Sequence, residues 1–141
     1  MAASKRKYFG GCHCGAVRWE ADLDLSAGYG KCNCTICHKS SYCGMILKPG
    51  EHRVLSGEDS LSVYTFNSKS CQHLFCKVCG VKSFSRGDLP GILGEYVTIN
   101  VACLDGREGL DAKGIAALDA IDAEVAKMPV KTFDGRHDKW T

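Results

Sequence analysis

A chain of 141 residues with 18 Lys and Arg against 16 Asp and Glu carries a formal charge of +2 and a pI near 8.0, too mild a balance to mark a nucleic-acid binder. The length suits a single domain, 1–141 with a core from about 8 to 136, and is short for two. The basic start lacks the apolar stretch of a secretory signal and no apolar run approaches a membrane span, so a cytoplasmic chain with no membrane partner is expected, its thiols kept reduced.

Taken in order, Lys5, Arg6 and Lys7 read as a frayed, solvated terminus. Val17, Trp19 and Ala21 alternate with Arg18, Glu20 and Asp22, the period of a half-buried strand. Further strands are expected at Cys43 to Lys48, Leu61 to Phe66, Cys71 to Phe75 and Tyr96 to Cys103, separated by glycine-rich turns. One helix is expected, from Ala112 to Lys127, with Asp111 as N-cap, Pro129 as stop, and Ile115, Leu118, Ile121 and Val125 on its apolar face. Gly114 weakens that helix. The fold class is mainly β with a short C-terminal helix.

Seven of the ten cysteines fall in three clusters: Cys12-His13-Cys14-Gly15, Cys32-Asn33-Cys34-Thr35-Ile36-Cys37 and Cys76-Lys77-Val78-Cys79-Gly80. Seven thiols divide into a closed set of four and an open set of three, which suggests two zinc ions with different tasks. A Cys-x-x-Cys-Gly turn aims N–H groups at its sulfurs, and the glycine accepts a left-handed backbone. Cys-x-Cys converges by placing residues i and i+2 on one side of an extended strand. Each pair is half a tetrahedral site, and an ion shared by the first and last clusters would staple distant parts of a small β domain. A redox role for Cys76 and Cys79 is weaker, because no βαβ pattern surrounds them.

The middle cluster is a compact claw of three sulfurs with one tetrahedral position left over. Either that position is exchangeable, or His38, Cys43 or a distant residue closes it. Three thiolates leave a divalent ion with net charge −1 and a poor activator of water, so the chemistry that fits is thiol activation. Lys31, His38 and Lys39 flank the claw. Single Cys43, Cys71 and Cys103 read as small buried hydrophobes.

The sequence resembles the glutathione-dependent formaldehyde-activating enzymes and the related centromere protein V, which share an Mss4-like, zinc-stapled β-sheet fold. The resemblance rests on Gly10 to Arg18, Cys32 to Lys39 and Phe75 to Phe84. It runs on through Val97 to Asp105 and ends near Phe133-Asp134-Gly135. It implies that Cys12, Cys14, Cys76 and Cys79 hold a structural zinc, and that Cys32, Cys34 and Cys37 hold a catalytic one. The implied activity is that of a carbon–sulfur lyase, or its reverse, the condensation of glutathione with formaldehyde to S-(hydroxymethyl)glutathione. The implied partners are the small-molecule thiol glutathione and an aldehyde or related electrophile.

Lys39 and Arg86 are the expected contacts for the glutathione carboxylates. His73 and Tyr42 are the nearest candidates for an alkoxide donor. The stretch from Asp111 to Lys127 reads as an insertion that covers the pocket, pairs subunits into a homodimer, or decorates the surface. The competing function is a non-catalytic, zinc-stabilised protein-binding module of the centromere protein V type. The extended basic or Pro-rich arms of those relatives have no counterpart in the ten residues before the first motif, which favours the enzyme.

Overall fold

The structure is a computed structural model and describes residues 5–137. Its first strands are β1 (Arg6–Gly11), β2 (Arg18–Leu23) and β3 (Tyr29–Cys32), followed by helix α1 (Thr35–Ser40), β4 (Gly44–Leu47) and β5 (His52–Ser56). Next come β6 (Leu61–Tyr64), β7 (Cys71–Cys76), β8 (Phe84–Leu89), β9 (Gly94–Asn100) and β10 (Leu104–Arg107). Helix α2 (Ile115–Val125) and β11 (Val130–Phe133) complete the described chain. The mainly β architecture with a short C-terminal helix is the expected Mss4-like class.

The strands form a four-stranded sheet, β10-β1-β2-β5, and a seven-stranded sheet, β11-β3-β4-β9-β8-β7-β6. Pairing is antiparallel except between β11 and β3. Alternation in β2 sends Trp19, Ala21 and Leu23 inward, where they meet Leu47, Leu74, Phe84, Val97 and Ile99 from the larger sheet. Trp19 and Phe84 are fully buried. The Trp19 indole N–H donates to Ser83 Oγ at 3.1 Å, which satisfies the polar atom of the largest core side chain.

Two expected strands end early for local reasons. The Asn100 side chain accepts from the Ala102 N–H at 3.2 Å and turns Val101–Cys103 into a 3-10 segment. Asn67 and Lys69 take left-handed backbone, with φ of 50° and 59°, so the strand from Leu61 stops at Tyr64, short of Phe66.

Three other expectations are corrected. Helix α2 starts at Ile115 with Gly114 as N-cap, in place of Asp111. Its buried stripe is Ala117 and Ile121, continued by Met128, while Ile115 and Leu118 are 77% and 39% exposed. The rotation follows from Glu124, which accepts from Tyr8 Oη at 3.0 Å and pairs with Arg107 at 2.8 Å. The basic terminus is also ordered: Arg6 and Lys7 belong to β1, Lys5 pairs with Glu51, and Lys7 lies 3.3 Å from Glu20. Among the described residues no helix is long and apolar enough to cross a membrane.

His52 lies in the core between Trp19 and Phe84, with ring centroids 5.3 and 4.5 Å away, and its Nε2 has no hydrogen-bond partner. Burial, reinforced by Arg86 and Arg53, lowers its pKa to about 4. Folding therefore favours the neutral ring: its contribution is complete above the unfolded value of about 6.5 and is lost as pH falls from there through about 4. Equilibrium denaturation at pH 7 and pH 5 should show wild type losing about 2 kcal/mol more than His52→Phe over that interval. Equal losses would mean that His52 is not held neutral.

Candidate metal centres

The first cluster forms where two hairpins meet. Cys12 and Cys14 sit in the bend between β1 and β2, not in an extended strand as the Cys-x-Cys spacing suggested. The bend is held by Cys12 N–H donating to Val17 O at 3.1 Å, and the Val17 N–H approaches Cys12 Sγ at 3.3 Å. Cys76 ends β7, and Cys79 lies in the turn that follows. Gly80 has a φ of 77°, a left-handed conformation that favours glycine, and its N–H reaches Cys76 O at 2.7 Å. The Val78 N–H points at Cys76 Sγ from 3.4 Å.

These turns bring Cys12, Cys14, Cys76 and Cys79 together, with all four sulfurs within 4.8 Å of one another. Cys14 Sγ is 3.6 Å from Cys12 Sγ and 3.7 Å from Cys76 Sγ. A tetrahedron with zinc–sulfur bonds of about 2.3 Å has edges of about 3.8 Å, so the donor set fits that ion. The N–H groups of Cys14 and Val81 lower the Cys79 thiol to about 6, which favours the thiolate that a metal needs.

The second cluster is built by one short stretch of chain. Cys32 ends β3, Cys34 is the N-cap of α1 and Cys37 lies within that helix, so the strand-to-helix corner folds three sulfurs to within 4.8 Å. The Cys34 N–H contacts Cys32 Sγ at 3.4 Å. Burial raises the Cys34 thiol, but the N–H groups of Cys37 and Ile36 and the adjacent thiols outweigh it, and the net shift is downward. Burial, then the contact with Cys34, pushes Cys37 up to about 12. A thiol so disfavoured as a free anion is one that metal binding must deprotonate.

The claw opens onto a cavity of about 510 Å³ whose walls include Lys31, Tyr42, Thr132, Phe133 and Asp134. The far wall is the strap formed by β11 and the turn after it. Parallel pairing sets Phe133 beside Cys32, the Asn33 N–H donates to Phe133 O at 3.0 Å, and Asn33 Nδ2 donates to Asp134 Oδ1 at 3.0 Å. A Cβ on Gly30 would stand 2.6 Å from the Phe133 ring, so the strap needs glycine there.

The structure distributes the other expected site residues unevenly. His38 and Tyr42 line the cavity, and Tyr42 Oη donates to Thr98 O at 2.9 Å. His38 and Cys43 lie outside the three-sulfur group. Lys39 is exposed on α1, away from the cavity wall. Arg86 pairs across the sheet with Val97, pointing to the core side, and its guanidinium binds Glu58 at 2.8 Å beside a different cavity. Helix α2 contributes no wall of the claw cavity; it leads the chain to β11, which does. Cys43, Cys71 and Cys103 are half-buried.

Sequence reasoning missed three groups: Lys31 as a cavity wall, the Asp134 turn, and Lys82. Lys31 flanks a cysteine and was legible as a neighbour, but the parallel strap that pairs alongside its strand was not. Lys82 follows the Cys76–Cys79 turn with no periodic signal to aim it inward.

A mainly β scaffold with one four-sulfur and one three-sulfur cluster, both of metal-holding geometry, defines a cysteine-rich metal-binding domain. The chain belongs to the glutathione-dependent formaldehyde-activating enzyme family, whose model matches residues 7–116. A crystal structure of a Rhodobacter sphaeroides protein, determined as a structural-genomics target, is similar with a TM-score of 0.63 and 26% identity. The alignment covers 87% of this chain and 99% of that one. Most of α2 and all of β11 lie beyond the residues that this model matches.

The two clusters should separate by mutation. Cys76→Ala is expected to lower thermal stability sharply, because it breaks the tie between the sheets. Cys34→Ala should melt within a few degrees of wild type and lose one metal per chain by elemental analysis. Comparable unfolding of both variants would make the claw structural.

Proposed function

We propose that the chain is a zinc-dependent carbon–sulfur lyase or synthase acting on glutathione adducts, with formaldehyde as the default electrophile and S-(hydroxymethyl)glutathione as the adduct. Two zinc ions per chain serve it: one held by Cys12, Cys14, Cys76 and Cys79 for structure, the other by Cys32, Cys34 and Cys37 for chemistry. The observation that carries this reading is a three-sulfur cluster opening onto a cavity of about 510 Å³, a volume within the range of small-molecule sites. A purely structural claw of the protein-binding kind has no need of such an opening.

Bound in the claw, zinc would supply a soft Lewis acid that lowers the pKa of an incoming thiol and keeps it as thiolate at neutral pH. The protein's own groups do the rest. Lys31, in place of the expected Lys39 and Arg86, offers an ammonium to a glutathione carboxylate at the cavity wall. The rings of Tyr42 and Phe133 exclude water around the sulfur, and the Asn33–Asp134 hydrogen bond holds the strap in place. The net change adds S–H across the aldehyde C=O: sulfur bonds to carbon, the π pair goes to oxygen, and the thiol proton ends on that oxygen. No redox partner is consumed.

Exchange NMR on metal-loaded protein with glutathione and formaldehyde tests the assignment. The rate of adduct exchange should rise above the spontaneous rate in wild type and fall back to it in Cys34→Ala. Identical rates with and without protein, for formaldehyde and for a panel of other aldehydes, would overturn it.

A further inference from the structure

Lys82 lies between the Cys76–Cys79 turn and β8, and its side chain reaches Tyr42, a wall of the claw cavity. Its backbone is pinned by Asn100, whose Nδ2 donates to Lys82 O at 3.2 Å. The side chain is half-buried: its Nζ lies 4.7 Å above the Tyr42 ring centroid and donates to His73 Nδ1 at 2.8 Å. Both partners are neutral. His73 has its pKa depressed to about 4 by burial and by this ammonium, so it accepts the hydrogen bond and brings no charge.

No carboxylate forms an ion pair with Lys82 among the described residues. The groups near it that can become anionic are thiols. Burial lowers the Lys82 pKa, and Cys37, Cys71 and Cys34, two of them members of the claw, oppose that shift electrostatically. Burial raises the Cys71 thiol, and Cys71 belongs to neither sulfur cluster. Cys34 and Cys37 belong to the three-sulfur cluster, where a bound metal would hold them as thiolates.

A partly buried ammonium without a counter-ion is costly. A divalent ion with three thiolates carries −1, and a fourth thiolate from a substrate takes it to −2, also costly away from water. Two imbalances of opposite sign share Tyr42 as a neighbour: its ring lies under the ammonium, and its N–H donates to Cys37 O at 3.1 Å.

We propose that Lys82 is the charge partner of the claw: its ammonium offsets the surplus thiolate charge, strengthens the hold on the labile metal, and allows a substrate thiolate to enter as the fourth sulfur. Lys82 is a positioning residue here and makes no bond to the metal. The inference rests on the reading of the claw as a thiol-activating metal site.

The test uses the full chain loaded with cobalt and compares Lys82→Met, which keeps the stem without the charge, with Lys82→Arg, which keeps the charge. In a chelator competition, Lys82→Met should lose its labile metal at about ten- to a hundredfold lower chelator concentration, the scale of a unit charge several ångströms away at the dielectric of a partly buried site. The second metal should hold as in wild type, and Lys82→Arg should stay within about threefold. In a parallel titration with 2-mercaptoethanol, a neutral thiol without carboxylates, half-saturation of the sulfur-to-cobalt absorption should rise similarly in Lys82→Met alone.

Unchanged metal retention in Lys82→Met would overturn the proposal, as would equal impairment of Lys82→Arg, which would make the role one of packing. If Lys82→Met does not fold, Lys82→Gln gives the same comparison with a neutral donor to His73. Absence of any thiol response in wild type would sink the enzyme reading instead, with the chelator arm still deciding the role of Lys82. Absence of a labile metal in wild type would overturn both.

Discussion

Four sulfurs from two hairpins converge where the two sheets of the fold meet. Cys14 and Cys76 are 62 positions apart in sequence and 3.7 Å apart in space, one in the bend between β1 and β2 of the smaller sheet, the other at the end of β7 in the larger. Whatever closes that cluster also closes a long loop and fixes the Trp19-bearing hairpin against Phe84 and Ile99. A core of this size supplies limited stability by burial alone, so a metal that binds only the folded arrangement adds its binding free energy to folding. The N–H groups that point at these sulfurs from Val17 and Val78 show that the backbone is shaped for thiolates.

The claw obeys a different constraint. Its sulfurs span one strand-to-helix corner, so filling it orders little chain that is not already ordered by β3 and α1. Under the proposed function, that locality frees the claw from a structural task and permits an open coordination position. The opening is bounded by residues from the far end of the described chain: α2 anchors on Tyr8 and Arg107 through Glu124, and the segment it releases pairs with β3 as a parallel edge strand. The wall of the claw cavity is therefore coupled to the packing of a helix on the opposite sheet.

Much of this was legible from residue patterns. The three cysteine clusters, their division into four and three, and the strand of alternating Val17, Trp19 and Ala21 are local signals that folding preserves. The helix was legible in extent but not in orientation: apolar spacing selected Ile115 and Leu118, whereas the side chains that decide the rotation are Tyr8 and Arg107, distant in sequence. Arg86 could not be assigned to a face because strand parity matters only once the register is known, and register turns it toward Val97 and Glu58. Lys82 and the Asp134 turn gain meaning only from tertiary pairing: of β9 with the segment before β8 for the first, of β11 with β3 for the second.

The central claim is that two chemically different zinc sites exist on one chain, one saturated by protein sulfur and one not. Zinc K-edge X-ray absorption on metal-saturated protein without added thiol measures this directly. With two zinc ions per chain, the account predicts an average of about 3.5 sulfur neighbours per zinc at about 2.3 Å, with one light-atom ligand shared across each pair of ions. An average of four sulfurs per zinc would mean that the claw is closed by another cysteine such as Cys43 or Cys71. A single zinc per chain would contradict the account altogether.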